Sequence, residues 1–187
     1  MAQLQRIVRG DRQKELAKLF DAASQRNNRW TVWADAMLMF ACAISNTVDL
    51  IHREAREQLY MDTIKKYNRK EVESISYMFG LVVDALEENP DQDFLGDLYM
   101  SLELSNKNNG QFFTPYSLCT LNAKLQTGVK EMVEREHWAS VNDPACGAGA
   151  LLVAFANECK AQGVNYQQSV LFTAQDIDMV TASMCYV

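Results

Sequence analysis

Between residues 138 and 178 the hydrophobic period changes twice, and this constrains the fold more than any other feature of the chain. The stretch "WASVND" reads as a strand, "PACGAG" as a turn of small residues, and "ALLVAFANECKAQG" as an apolar helix. "SVLFTAQDID" then reads as a second strand, β-branched and apolar, ending in acids. Strand–turn–helix–strand is the unit of a parallel α/β sheet with a right-handed crossover. A parallel strand pair needs cover on both faces and neighbours at its edges. We expect the helical half to supply cover, and self-association to hide the exposed sheet edge.

Upstream, through about residue 104, the pattern is helical. Trp30, Trp33, Met37, Phe40, Ala41 and Ile44 recur at steps of three and four, marking one apolar face. Val72, Ile75, Met78, Phe79, Val82, Val83 and Leu86 repeat that spacing. Pro90 in "EENPDQD" stops this run, and Asp91 or Asp93 is placed to cap the short helix "FLGDLYMSLEL". The cluster "SNKNNG" (105–110) is strongly loop-forming and predicts a boundary. The expected organisation is a helical domain over residues 1–104 and an α/β domain over 105–187. "QFFTP" then leads into a helix expected from Pro115 to about Arg135, with Thr114 as its N-cap.

Composition narrows the functional classes. Of 187 residues, 48% are hydrophobic and 22% charged, which suits a packed core and argues against wholesale disorder. No uninterrupted apolar run approaches the length of a membrane span, and "MAQLQRIVRGDRQKELAKLF" lacks the apolar centre of a signal peptide. A cytoplasmic protein with no membrane partner is the expectation. Five scattered cysteines without a CxxC pair, and two histidines, His52 and His137, give little support to a metal site. Reduced, mostly buried thiols and packing or surface histidines are the simpler reading. Residues 1–70 carry 13 Lys and Arg against 8 Asp and Glu, whereas residues 71–187 carry 5 against 16. A nucleic-acid contact would therefore favour the N-terminal part, although its basic residues are interleaved with acids like solvated helix faces.

The turn carries the chemistry. Where a strand gives way to a helix, unpaired backbone N–H groups face outward at the positive helix end. Gly147 and Gly149 present no Cβ, so a ligand can approach the main chain closely. An acid at the end of the following strand can take both hydroxyls of a ribose, and Asp176 lies 33 residues beyond Asp143, a reasonable length for one crossover. Gly-x-Gly alone says little. It matches neither the spacing of a pyrophosphate cradle nor that of a P-loop.

Three segments in order, "GQFFTP", "DPACGAGALL" and "AQDID", resemble the amino-methylating DNA methyltransferases, in particular the adenine-N6 modification subunits of type I restriction–modification systems. The resemblance covers about residues 94–187, and the helical first half is similar in architecture only. It implies an S-adenosylmethionine cofactor and a Rossmann-like domain, of which about two strands are legible. By that resemblance Gln111, Phe113, Thr114 and Pro115 lie near the methionine end of the cofactor. Asp143 faces its ammonium group, and the backbone from Pro144 and Ala145 through Gly147 to Gly149 surrounds the amino-acid moiety. Asp176 takes the ribose hydroxyls and Ile177 packs on the adenine ring, with Asp178 as the alternative acid two positions on. Cys146 is a small filler. DNA is the implied substrate and a specificity subunit the implied partner.

Adenine-N6 methylation in this family also needs Asn/Asp-Pro-Pro-Tyr/Phe, whose polar groups accept the exocyclic amine while its ring stacks on a flipped base. No such tetrapeptide occurs in these 187 residues, so no catalytic residue is assigned. The expectation is the cofactor-binding portion of a longer enzyme or a shortened relative. The alternative is a non-catalytic, methyltransferase-like interaction module.

Overall fold

Four of the helices among the described residues begin where a short polar side chain satisfies one of the first backbone N–H groups. A computed structural model describes residues 10–104, 112–126 and 128–187. Helix α1 spans Asp11–Ala23 and α2 Arg29–Val48, the latter opened by Asn28, whose side chain accepts from the Thr31 N–H at 3.2 Å. Helix α3 (Arg53–Ile64) follows, then α4 (Arg69–Glu88). The start of α4 is a reciprocal cap: Asn68 accepts from the Glu71 N–H at 3.0 Å and Glu71 from the Asn68 N–H at 2.8 Å. Arg26 adds a two-pronged bond to Glu71 at 2.8 and 2.9 Å, fastening the α1–α2 loop to this end of α4. Of the two acids considered for capping α5 (Phe94–Ser101), it is Asp93 that accepts from the Gly96 N–H, at 2.9 Å.

Helix α2 is 20 residues long and apolar enough to cross a membrane by length and composition. Its Val32, Trp33, Ala36, Met37 and Phe40 are buried against other helices, so it is a core helix here. Its one acid, Asp35, is buried but satisfied, accepting from the Tyr67 hydroxyl at 2.7 Å and from Lys66 Nζ at 2.9 Å. The first core cluster joins α1, α2, α4 and α5 through Leu16, Phe20, Trp33, Met37, Met78, Val82, Leu98 and Tyr99.

The second half differs in two places from the sequence-based expectation. The helix foreseen over 115–135 is two: α6 (Tyr116–Leu125) and α7 (Val129–Glu136). Gln126 turns extended at the end of α6, and Gly128 takes the left-handed region with φ 96°, so the backbone reverses instead of winding on. Thr114 is not the N-cap of α6. That place belongs to Pro115, which has no side chain to cap with, and the Thr114 carbonyl instead faces the Cys119 thiol at 3.7 Å.

Strand β1 (Ala139–Asp143) pairs in parallel with β2 (Val170–Ala174), Ala139 opposite Val170 and Asp143 opposite Ala174. The crossover runs through α8 (Ala150–Ala161) and the single turn α9 (Tyr166–Ser169), and α10 (Met179–Tyr186) follows β2. Among the described residues the sheet is covered on one face. Ala139, Val141, Val170 and Phe172 pack with α6 and α8, while Leu171 on the other face is exposed. Cover was expected on both faces; it comes from α6 and α8, and the helical half instead receives α10. Val180 and Met184 of α10 enter the first core cluster, where the Trp33 indole N–H reaches Met184 Sδ at 3.4 Å. The two halves thus share a core. The expected boundary at 104/105 falls beside residues 105–111, which lie outside the described residues.

Candidate functional site

At the C-terminal end of β1 the chain makes the turn Pro144–Gly149 and enters α8. The turn is pinned to the strand beside it. The Gln175 N–H donates to the Asp143 carbonyl and the Cys146 N–H to the Gln175 carbonyl, both at 2.9 Å, carrying the parallel pairing past the end of the sheet. Inside the turn, the Ala145 N–H donates to Asp143 Oδ1 at 3.1 Å and the Gly149 N–H to the Cys146 carbonyl at 2.8 Å. Two glycines take the left-handed region, Gly147 at φ 53° and Gly149 at φ 89°. A Cβ at 147 would stand 3.3 Å from the Phe113 ring; one at 149 would stand 2.9 Å from Cys185 Sγ and 3.3 Å from its Cα. Both positions disfavour a side chain by φ, and Gly149 does so by crowding as well.

Asp176 leaves β2 toward this turn. Its Oδ2 accepts from the Gly147 N–H at 2.8 Å and its Oδ1 from the Asp178 N–H at 2.9 Å. Burial pushes this carboxyl up, but the two backbone donors, with Thr181 and Ile177, outweigh it and hold the group below the ordinary carboxylate range. It is an anion in the site, and each oxygen keeps a further acceptor position. Asp178 is used differently, its Oδ1 accepting from the Val180 N–H at 2.8 Å as the N-cap of α10.

A cavity of about 200 Å³ lies between these pieces. Phe112, Phe113 and Thr114 form one wall, Ala145 to Ala148 and the start of α8 another, and Asp176 with Thr181 the third. Pockets that enclose a whole drug-sized ligand run to roughly 300–1,000 Å³, so this one suits a portion of such a molecule. Of the residues singled out in the sequence, Phe113, Thr114, Ala145, Gly147 and Asp176 line it. Pro115 sets the adjoining start of α6, Pro144 is exposed beside the turn, and Gly149 is buried below it against Cys185. Gln111 lies outside the described residues, and Ile177 is fully exposed and not in the wall.

Asp143 stands out electrically. Its Oδ1 serves the turn, while Oδ2 is buried and has no hydrogen-bond partner. A buried carboxylate oxygen left in this way is unfavourable unless a donor meets it. Sequence reasoning passed over Cys119 and Thr181. Cys119 sits one helical turn inside α6 and Thr181 one turn inside α10, so the helical step from Pro115 and from Asp178 was the available signal. Cys146 and Cys185 meet beneath the turn, and burial pushes Cys146 up and Cys185 up to about 12. They are neutral thiols here, consistent with filling rather than attack. His52 and His137 are exposed and remote from the cavity.

Comparison with known proteins matches this half of the chain to the family described as N-6 DNA Methylase, over residues 90–187. A curated relative, the methylase subunit of the type I restriction enzyme MpnII from Mycoplasma pneumoniae, is 32% identical over 108 residues. That match covers 55% of this chain and 18% of the relative, so the chain spans a small part of the relative's length. No solved structure matches. The matched region takes in the turn, both strands and the cavity walls, and the chain belongs to the N-6 DNA methylase family.

Proposed function

We propose that this chain supplies the S-adenosylmethionine-binding part of a DNA adenine-N6 methyltransferase of the restriction–modification kind. In this reading residues 105–187 begin a Rossmann-like methyltransferase domain, behind a helical domain of residues 1–104. The observation that carries it is the buried, unpartnered Oδ2 of Asp143, at the strand end two residues before Ala145, where a cavity walled by Phe112 to Thr114 and Ala145 to Ala148 begins. An ammonium group is the donor such an oxygen calls for. Gly147, with no Cβ, lets the Phe113 ring close on the turn so that the two form adjoining walls of the cavity.

Asp143 would hold the amino-acid ammonium, and the backbone of Pro144, Ala145, Gly147 and Gly149 would surround that end. Gln111, Phe113, Thr114 and Pro115 would close over it. Asp176, kept ionised by its backbone donors, would accept from the ribose hydroxyls through its remaining lone pairs, with Ile177 against the adenine. When bound, the cofactor supplies a methyl group on a good sulfonium leaving group. The protein's part in such chemistry is positioning and electrostatics. Asn/Asp-Pro-Pro-Tyr/Phe is not among these residues, so methyl transfer is proposed for the whole protein, acting on DNA with a specificity subunit in the cytoplasm. The same missing tetrapeptide favours a second reading, a non-catalytic methyltransferase-like interaction module, in which self-association covers the sheet edge.

Calorimetric titration with S-adenosylmethionine tests the reading. The unmodified chain binds, Asp143→Ala and Asp176→Ala weaken binding, and the chain alone transfers no methyl to DNA. Failure of the unmodified chain to bind would sink the cofactor reading. Binding untouched by Asp176→Ala would remove the ribose assignment alone.

A further inference from the structure

The cavity wall formed by Phe113 does not stand by itself. Phe113 stacks on Tyr99 of α5, ring centroids 5.6 Å apart and planes inclined by 27°. Tyr99 lies 5.9 Å from Trp33 of α2, and Trp33 meets Phe20 of α1 edge-on at 5.6 Å. Phe20, Trp33 and Tyr99 are each fully buried. The chain of rings starts in the centre of the helical half and ends 3.3 Å from where Gly147 would carry a Cβ. Trp33 also touches Met184 of α10, the helix opened by Asp178 two residues beyond Asp176. One tryptophan therefore contacts both the ring that supports the Phe113 wall and the helix that carries Thr181 of the third wall.

We infer that Tyr99 and Trp33 are positioning residues for the cavity, holding Phe113 against the Gly147 turn, so that the helical half sets the affinity of the site. The inference rests on the cofactor reading above for its ligand and on the ring contacts for its geometry. Phe113 lies in the non-helical stretch before α6, so no helical backbone restricts its rotamer. An aromatic pair has a preferred offset geometry, which fixes ring orientation in a way that a flexible aliphatic neighbour does not. A ligand binds more weakly to a wall that is correctly placed for only a fraction of the time, in proportion to that fraction.

The test compares Tyr99→Leu, Tyr99→Phe and the core control Met78→Ala, the last on α4 in the same buried cluster but not one of the stacked rings. Calorimetry with S-adenosylmethionine gives the affinity, thermal melting the stability, and ¹⁹F NMR of fluorophenylalanine-labelled chain the environment of Phe113. Tyr99→Leu should weaken binding about tenfold and move the Phe113 resonance, whereas Tyr99→Phe should restore both to within about twofold of the unmodified chain. Met78→Ala should lower the melting temperature without changing affinity or the Phe113 signal. The inference is overturned if Tyr99→Leu leaves the resonance or the affinity unchanged, or if Met78→Ala weakens binding equally. If the unmodified chain binds no cofactor, the functional reading fails, and the ¹⁹F signal still decides whether Tyr99 positions Phe113.

Discussion

The two buried clusters of this protein are built on opposite plans. Around Trp33 the core is made of bulky side chains, Phe20, Met37, Met78, Leu98 and Tyr99, all essentially without exposure. Between α6, α8 and the sheet small residues predominate, Cys119, Ala123, Ala139, Ala150, Ala154 and Cys159, with Phe155 as the one buried ring. Bulky side chains bury more apolar surface, at roughly 25 cal/mol per Å², and supply most of the cohesion. Small ones let backbones approach closely. That closeness brings the turn after β1 within hydrogen-bonding reach of Asp176 and seats Gly149 on Cys185. Cohesion thus concentrates in the helical half and geometry in the half that forms the cavity, with α10 and the Tyr99–Phe113 stack joining them.

The sharpest way to break this contrast is Trp33→Ala. It removes the largest fully buried side chain and should lower the unfolding free energy by about 3–5 kcal/mol, read from the urea midpoint. A loss smaller than that from a single change in the small-residue cluster would reverse the assignment of cohesion.

Asp93 stands between the clusters, capping α5, and its charge adds to the burial that pushes the Cys119 thiol of α6 up. Burial, opposed by the Gly96 N–H and helped by Asp97, pushes its carboxyl up to about 6. A folded-state value above the ordinary one means that the protonated group favours the folded state. That contribution is present below the ordinary carboxylate range and is lost as pH rises through about 6. Asp93→Asn keeps an N-cap acceptor but does not titrate. Its stability relative to the unmodified chain should therefore rise by roughly 2–3 kcal/mol between pH 4 and pH 7 in parallel urea titrations. Equal pH profiles would show that the joint is not desolvated. Comparison with the variant also removes the opposite trend from Glu71 and Asp176, whose lowered values favour the folded state above the ordinary range and lose that effect as pH falls.

Overfilling the small-residue cluster tests the other side. Ala154→Leu should cost about 1–3 kcal/mol in the urea midpoint by forcing α8 away from α6. Unlike Met78→Ala, it should also weaken cofactor binding. Unchanged binding would mean that the close packing does not set the turn.

The smallest effect is expected at the clasp outside both clusters. The Tyr116 hydroxyl donates to Asp91 Oδ1 at 2.6 Å, and Asn157 Nδ2 donates to the Pro90 carbonyl at 3.0 Å. Tyr116→Phe should cost about 1 kcal/mol, since the bond is exposed and water replaces it. Thermal melting at matched pH would measure it, and a loss above that of Ala154→Leu would promote this clasp to a main joint.

Much of this architecture is written in local pattern. Period-three-and-four spacing from Trp30 to Ile44 and from Val72 to Leu86 became α2 and α4, and the change of period near "WASVND" became β1. These features depend on neighbours along the chain, so a window of residues contains them. The break at Gly128 was less visible, because an isolated glycine within apolar spacing does not by itself decide whether a helix continues. Thr114 resembles a cap in sequence, yet the helix starts one residue later because Pro115 with ψ 135° is still extended.

By itself the sequence determined the helical first half, the parallel strand–turn–helix–strand unit and the ordered trio of segments that marks the family. Only the tertiary structure decided that Asp176 clamps the Gly147 N–H, that Cys185 lies under Gly149, and that Tyr99 stacks on Phe113. It also left one Asp143 oxygen buried without a partner, at the strand end that leads into the cavity wall. These pairings join residues far apart in the chain through packing and desolvation, which depend on where whole helices settle and have no counterpart in local spacing.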